Sequence, residues 1–253
     1  MSIRGPAASE RNLRLLAEAR APVSAPQLVV IGGGTTGAGY VRQLLRAAAA
    51  GLLRTQRILV VDRDPACAAA REGDPRVVLE TADWSEWLDA RLEGLGAEDH
   101  LVPYHWAPHL LVGWLERQAR RAGARVSRGG AIPPRGLPLD RPTREGDHAL
   151  SYADWVCPPA CIEPALCPHT RGPRDWSLVA DLEAEGADEA FDERIVFPCL
   201  HLVWGVGTVP VGVVLAARQR LLARLGRGPA RWLVATSSHC HALATVLAVA
   251  PGR

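Results

Sequence analysis

Gln27-Leu-Val-Val-Ile-Gly-Gly-Gly-Thr-Thr-Gly-Ala-Gly-Tyr40 is the stretch on which the reading of this chain turns. An apolar run, Leu28 to Ile31, enters three consecutive glycines and leaves into an Ala/Leu/Arg-rich segment reaching about Ala50. That order is strand, tight turn, helix. The spacing Gly32-x-Gly34-x-x-Gly37 gives each glycine a task. Gly32 permits the turn, Gly34 lets the backbone approach a pyrophosphate, and Gly37 lets helix and strand pack closely. Thr35 and Thr36 open the helix, whose free N–H groups and positive dipole end face the phosphates. A second apolar run, Ile58-Leu-Val-Val-Asp62, ends in a carboxylate placed to accept hydrogen bonds from an adenine ribose.

Outward from this stretch the pattern keeps alternating. Strands are expected at 27–32, 57–62, 76–80 and 99–103, with helices at 36–50, 65–71, 84–93 and 107–122. Such alternation predicts an α/β fold with a doubly wound, mainly parallel sheet of Rossmann type. The expected cofactor is NAD or NADP, because Asp62 suits a free ribose while Arg63 beside it could accept a 2′-phosphate. The expected cofactor-binding set is Gly32, Gly34, Thr35, Thr36, Gly37, Asp62, Arg63 and Asp83. At the end of the fourth strand, Val102-Pro-Tyr-His-Trp-Ala-Pro-His109 puts His105 on the carboxyl edge, where ligands bind in open α/β sheets.

Gly32, Gly34, Gly37, Asp62 and the acid Asp83 just beyond the third strand make residues 26–125 resemble the nucleotide-binding domain of potassium-channel and Trk-transporter regulators, the RCK or TrkA N-terminal type. The resemblance implies a nucleotide-sensing role. It covers the front half only, because a cysteine-rich segment follows where such regulators continue into a ligand-sensing lobe.

The chain divides into an N-terminal helix within 1–25, the nucleotide-binding half at 26–127, a Pro/Cys-rich insertion at 128–193, and αβ units at 194–253 that complete the sheet. Within the insertion, Cys157-x3-Cys161-x5-Cys167 is followed by His169, with prolines at 158, 159, 164 and 168 stiffening the loop. Three thiols on a stiff loop suit a metal, since preorganisation lowers the cost of ordering the ligands. The spacing matches neither a zinc finger nor a ferredoxin, so zinc and an iron–sulfur cluster both stay open. Further on, Arg231-Trp-Leu-Val-Ala-Thr-Ser-Ser-His-Cys-His-Ala reads as strand, polar turn and helix. Ser237 or Ser238 would cap that helix, placing His239, Cys240 and His241 in its first turn, where a thiol's pKa falls. Cys240 is then the fourth ligand beside Cys157, Cys161 and Cys167, or a reactive thiolate. Cys67 and Cys199 read as core or surface thiols.

Composition narrows the classes. With 253 residues, 48% of them hydrophobic, the chain can bury one large core or two small ones. A net charge of +2 gives no nucleic-acid footprint. All 29 basic residues are Arg, which excludes a Schiff-base or Walker-A lysine. Val209–Ala217 and Ala242–Ala250 are too short to cross a membrane and read as buried helices. A cytoplasmic protein is expected, acting on a small-molecule substrate or effector, with a homo-oligomer open. Two functions compete. One is an NAD(P)-dependent oxidoreductase with a Cys-ligated site and His105, His239 and His241 as proton-transfer candidates. The other is a non-catalytic nucleotide- or redox-sensing regulator with a structural metal staple.

Overall fold

The computed structural model describes residues 22–103, 109–157, 161, 163–184, 190–203 and 205–252. The helix expected near the N-terminus and His105 lie outside them.

Two six-stranded sheets organise the chain. The first contains β2 (Gln27–Ile31), β4 (Arg57–Asp62), β5 (Val77–Thr81) and β6 (His100–Val102), and these four run parallel in the order β5-β4-β2-β6. Two antiparallel strands from far along the chain extend its edge: β12 (Val206–Pro210) pairs with β6, and β11 (Leu200–Val203) pairs with β12. A two-residue pair, β1 (Val23–Ser24) with β3 (Leu53–Arg54), stands apart.

The second sheet comes from the C-terminal half. Its strands are β7 (Arg125–Arg128), β8 (Leu139–Pro142), β9 (His148–Ser151), β10 (Glu193–Pro198), β13 (Ala230–Ser237) and β14 (His241–Ala250). The order is β10-β13-β14-β9-β8, with β7 also on β14, and every pairing except β10–β13 is antiparallel.

The expected doubly wound, mainly parallel Rossmann fold is therefore incorrect. The four parallel strands are present, but residues 194–253 do not complete their sheet with further parallel units. Only β11 and β12 join it, both antiparallel, while β10, β13 and β14 build the mainly antiparallel second sheet. The run Ala242–Ala250, expected as a helix, is most of β14. Its small apolar residues alternate faces with period two: Leu247 and Val249 enter one core, Ala244 and Val246 another. The β8–β9 hairpin lies inside the expected Pro/Cys-rich insertion, and β12 lies among the expected C-terminal αβ units.

The same alternation fixes the layers. Along β2, Leu28 and Val30 face α1 (Thr35–Ala49), which buries Ala38, Val41 and Leu44. Val29 and Ile31 face the opposite way, into a core that contains side chains from α2 (Trp84–Arg91), α3 (Leu110–Arg121) and α5 (Val211–Leu225). Phe197, Trp232, Val234 and Leu247 of the second sheet close that same core from the other side. Helices α2, α3 and α5 are thus packed between the two sheets. The outer face of the second sheet is covered by α4 (Leu178–Glu183) through Leu178 and Leu182. Among the described residues, no helix is long and apolar enough to cross a membrane.

Candidate functional site

Two neighbourhoods gather the chemistry-bearing residues. The first is the turn from β2 into α1. Gly32 has φ +89°, a conformation that disfavours any side chain, and its N–H continues the ladder to Val61 O at 2.8 Å. A Cβ at Gly37 would lie 1.8 Å from Gly32 O, so the close helix–strand approach depends on its absence. At Gly33 a Cβ would meet Cys67 Sγ at 2.4 Å, which puts that buried thiol beneath the loop. Gly34, the N-cap of α1, differs: it is exposed and a Cβ would meet nothing within 4 Å. The first helical N–H groups have no partner within the helix, and the first turn carries no acid.

Asp62 stands at the carboxyl end of β4 beside this loop. Its Oδ2 accepts the Gly33 N–H at 2.6 Å and its Oδ1 accepts the Asp64 N–H at 2.9 Å. The carboxylate thereby holds the loop, and each oxygen keeps a lone pair for a further donor. Arg63 and Asp83 are mostly engaged with each other. Arg63 Nε donates to Asp83 Oδ2 at 2.9 Å, and Asp83 Oδ1 accepts from Ser85 N–H at 2.9 Å and Glu86 N–H at 3.0 Å. Asp83 is thus the N-cap of α2, and these contacts hold its carboxyl below the ordinary value, the Glu86 N–H foremost and Arg63 next.

The second neighbourhood is the turn Ser238-His239-Cys240-His241 between β13 and β14, closed by Ser238 N–H to His241 O at 2.8 Å. No helix follows it, so the expected capping by Ser237 or Ser238 of a helix over 239–241 is corrected. What fills the turn is the buried carboxylate of Glu163, from the cysteine loop. It accepts from the Ser238 hydroxyl at 2.5 Å, the His239 N–H at 2.9 Å and the Cys240 N–H at 3.1 Å. Burial alone would push this carboxyl up. The Ser238 hydroxyl, the facing His201 and the two amides outweigh it and keep it below the ordinary range.

Glu163 also orders its own loop. Its φ is +45°, its N–H donates to Cys161 Sγ at 3.4 Å, and its carbonyl accepts from Arg174 Nε at 3.1 Å. Arg174 N–H returns to Ala165 O at 2.7 Å, and Leu166 bridges Pro173. The carbonyls of the 238–241 turn are met from outside by Leu178 N–H on His239 O at 2.9 Å and Tyr152 N–H on Cys240 O at 3.0 Å. Sequence reasoning passed over Glu163. Its only signal was a single acid inside an otherwise Cys- and Pro-rich run.

The thiols behave differently from the expectation of a reactive Cys240. Burial, with the Glu163 charge second, pushes both Cys240 and Cys199 up to about 12, so both are protonated at neutral pH. Cys240 Sγ accepts the Trp176 indole N–H at 3.4 Å. Burial and then Cys161 raise Cys157, which feels Cys167 and Glu163 as well. Among the described residues, no group of three or more His, Cys, Asp or Glu side chains is placed to hold a metal ion. His169 stacks on Trp155, with ring centroids 4.2 Å apart.

Burial lowers His201, His239 and His241, and the Glu163 charge opposes that shift in each. Tyr40 on α1 is raised by burial and then by Cys199, at the point where the chain passes from β10 to β11. An open cleft lined by Glu193, Arg194, Val213 and Arg220 lies elsewhere, between β10 and α5.

A family model, AF_1314_C, described as the C-terminal domain of an uncharacterized protein, matches residues 111–250. The chain belongs to that family. The match begins inside α3 and takes in the whole second sheet, the cysteine loop and the 238–241 turn. No curated protein matches the chain.

Proposed function

We propose that the chain binds a nicotinamide dinucleotide, NAD or NADP, at Gly32–Gly37 and serves as an oxidoreductase acting on a small molecule near its thiols and imidazoles. The observation that carries this reading is the division of labour among the glycines. Gly37 is required by the fold, whereas a Cβ at Gly34 would meet no described atom within 4 Å, which leaves open space at the N-terminus of α1. A phosphate approaching that terminus would meet unpaired N–H groups and the positive end of the dipole. The free lone pairs of Asp62 suit the hydroxyls of a ribose. In the same reading Cys157, Cys161 and Cys167 are thiolate donors for zinc or an iron–sulfur cluster, and the Glu163 N–H on Cys161 Sγ is the kind of contact that stabilises a thiolate.

A second reading has its own observation. Glu163 ties the cysteine loop to the 238–241 turn by three hydrogen bonds, as a structural staple in a nucleotide-sensing regulator would require. Calorimetric titration with NADH and NADPH tests the first step of both. One site per chain, lost in Gly34→Val, is expected; no binding of either at millimolar concentration overturns the assignment. Hydride exchange between bound NADH and a carbonyl substrate panel then separates enzyme from sensor.

A further inference from the structure

The carboxyl end of β4 gathers the acids Asp62, Asp64 and Asp83 around the single base Arg63, and their pairing decides which charge a ligand meets there. Asp62 Oδ2 accepts the Gly33 N–H at 2.6 Å, and its Oδ1 accepts the Asp64 N–H at 2.9 Å. Asp64 Oδ1 accepts the Ala66 N–H at 2.8 Å. These donors are neutral backbone amides, so neither carboxylate gives up its charge.

Arg63 lies between the two in sequence and turns instead to the neighbouring strand end. Asp62 is in register with Thr81, so Asp83 follows β5 just across from Arg63. Arg63 Nε donates to Asp83 Oδ2 at 2.9 Å, and its Nη2 donates to the same oxygen. Asp83 is itself fixed, because its other oxygen caps α2 through the Ser85 and Glu86 N–H groups at 2.9 and 3.0 Å. One carboxylate therefore has two tasks. Oδ1 anchors it to the helix, and Oδ2 holds a guanidinium whose side chain is otherwise 77% exposed.

This pairing bears on which dinucleotide fits. A ribose whose hydroxyls meet Asp62 would carry a 2′-phosphate beside residue 63. That phosphate brings a charge of about −2, and an arginine fork is the side chain that matches it. NAD has no such group and needs no cation. With Arg63 spent on Asp83, three carboxylates stand against one guanidinium, and the local field opposes a second anion.

On the assignment of Gly32–Gly37 as a dinucleotide site, we propose that Asp83 determines cofactor choice: by holding Arg63 it withholds the cation that NADP would need, and the protein selects NAD. Asp83 is a positioning residue, acting through Arg63 rather than by touching the cofactor. An exposed ion pair is weak by itself, so the preference is set by the pair together with repulsion from Asp62 and Asp64.

Calorimetric titration of the full chain with NADH and NADPH at low ionic strength tests this. NADH should bind about 10-fold tighter or more. Asp83→Asn separates the two tasks of the residue, since an asparagine oxygen still caps a helix while the charge that holds Arg63 is gone. It should shift the NADH-to-NADPH affinity ratio towards NADPH by about 5- to 10-fold with native circular dichroism. Adding Arg63→Ala should abolish that shift, because the released guanidinium is the group a 2′-phosphate would use. Equal affinities, or tighter NADPH, in the unmodified protein would overturn the proposal while leaving the dinucleotide site in place. An unchanged ratio in Asp83→Asn, with both affinities falling together as a merely structural role would give, would do the same. Binding of neither cofactor would overturn the proposal and the dinucleotide assignment alike.

Discussion

Gly37→Ala is the substitution whose effect the geometry defines most sharply. The new Cβ would lie 1.8 Å from Gly32 O and 2.8 Å from Gly32 C, both backbone atoms in a turn that cannot rotate away. Ordinary contact begins at 3.4 Å, so α1 must retreat by about 1.6 Å along that line. The retreat loosens Ala38, Val41 and Leu44 from Leu28, Val30 and Val60, all of which are fully or nearly fully buried. Overpacking of this kind costs about 1–3 kcal/mol. Here the clash is with backbone and a whole helix must respond, so the upper end applies, about 3 kcal/mol, or a folding equilibrium weakened by roughly 150-fold. Urea denaturation should show a lower midpoint with an unchanged slope. Gly34→Val is the control, since its side chain enters open space and only the N-cap preference of α1 is lost, about 1 kcal/mol or less. A loss below about 0.5 kcal/mol for Gly37→Ala, or equal losses for the two, would refute the claim that the third glycine is a packing requirement and the second is not.

Other expectations follow from the two neighbourhoods. Glu163→Ala strands the Ser238 hydroxyl and two amides; about 3 kcal/mol of stability should go, and limited proteolysis should cut faster between 155 and 176. Because the Glu163 carboxyl is held below its ordinary 4.5, its contribution is complete above that value and is lost as pH falls through it; an acid denaturation profile that Glu163→Gln leaves unchanged would contradict this. His109, buried beside the Arg128–Asp147 pair, is depressed from its ordinary 6.5 by burial. The unfolded chain then binds the extra proton, so stability should rise with pH up to about that value and fall below it; His109→Asn should flatten the slope in denaturation measured from pH 5 to 8. Asp83→Ala should cost about 1 kcal/mol through the lost cap of α2, while Arg63→Ala, an exposed partner, should cost little in the same assay.

What the sequence disclosed and what it hid have separate physical causes. The β2–α1–β4 unit was legible because a continuous apolar run, a glycine turn and a 3.6-residue pattern are all local signals. Asp62 was placed at its strand end for the same reason. The second sheet was not legible. Ala242–Ala250 is rich in Ala, Leu and Val, residues that serve helix and buried strand alike, and only pairing with β13 and β9 decides between them. The error carried through to Cys240, because a thiol pKa depends on whether a helix N-terminus or a buried carboxylate lies next to it. Glu163 was hidden by distance, since its donors lie 75 to 77 residues further along the chain. The Cys-Pro loop drew attention through composition, while the residue that docks it was one acid among many.

The crossing at Pro198-Cys199-Leu200 has a consequence for how the molecule can be divided. One continuous segment leaves the second sheet as β10 and enters the first as β11, with Cys199 N–H bonded to Ser237 O at 2.7 Å on the way. A fragment ending near residue 125 would leave the β6 edge unpaired and strip Val203 and Val206 from the core beneath α1. A fragment over 111–250 would carry β11 and β12 as a hairpin with no sheet to join. The stretch matched by the family model is therefore expected not to fold by itself, and the two halves should melt in one transition.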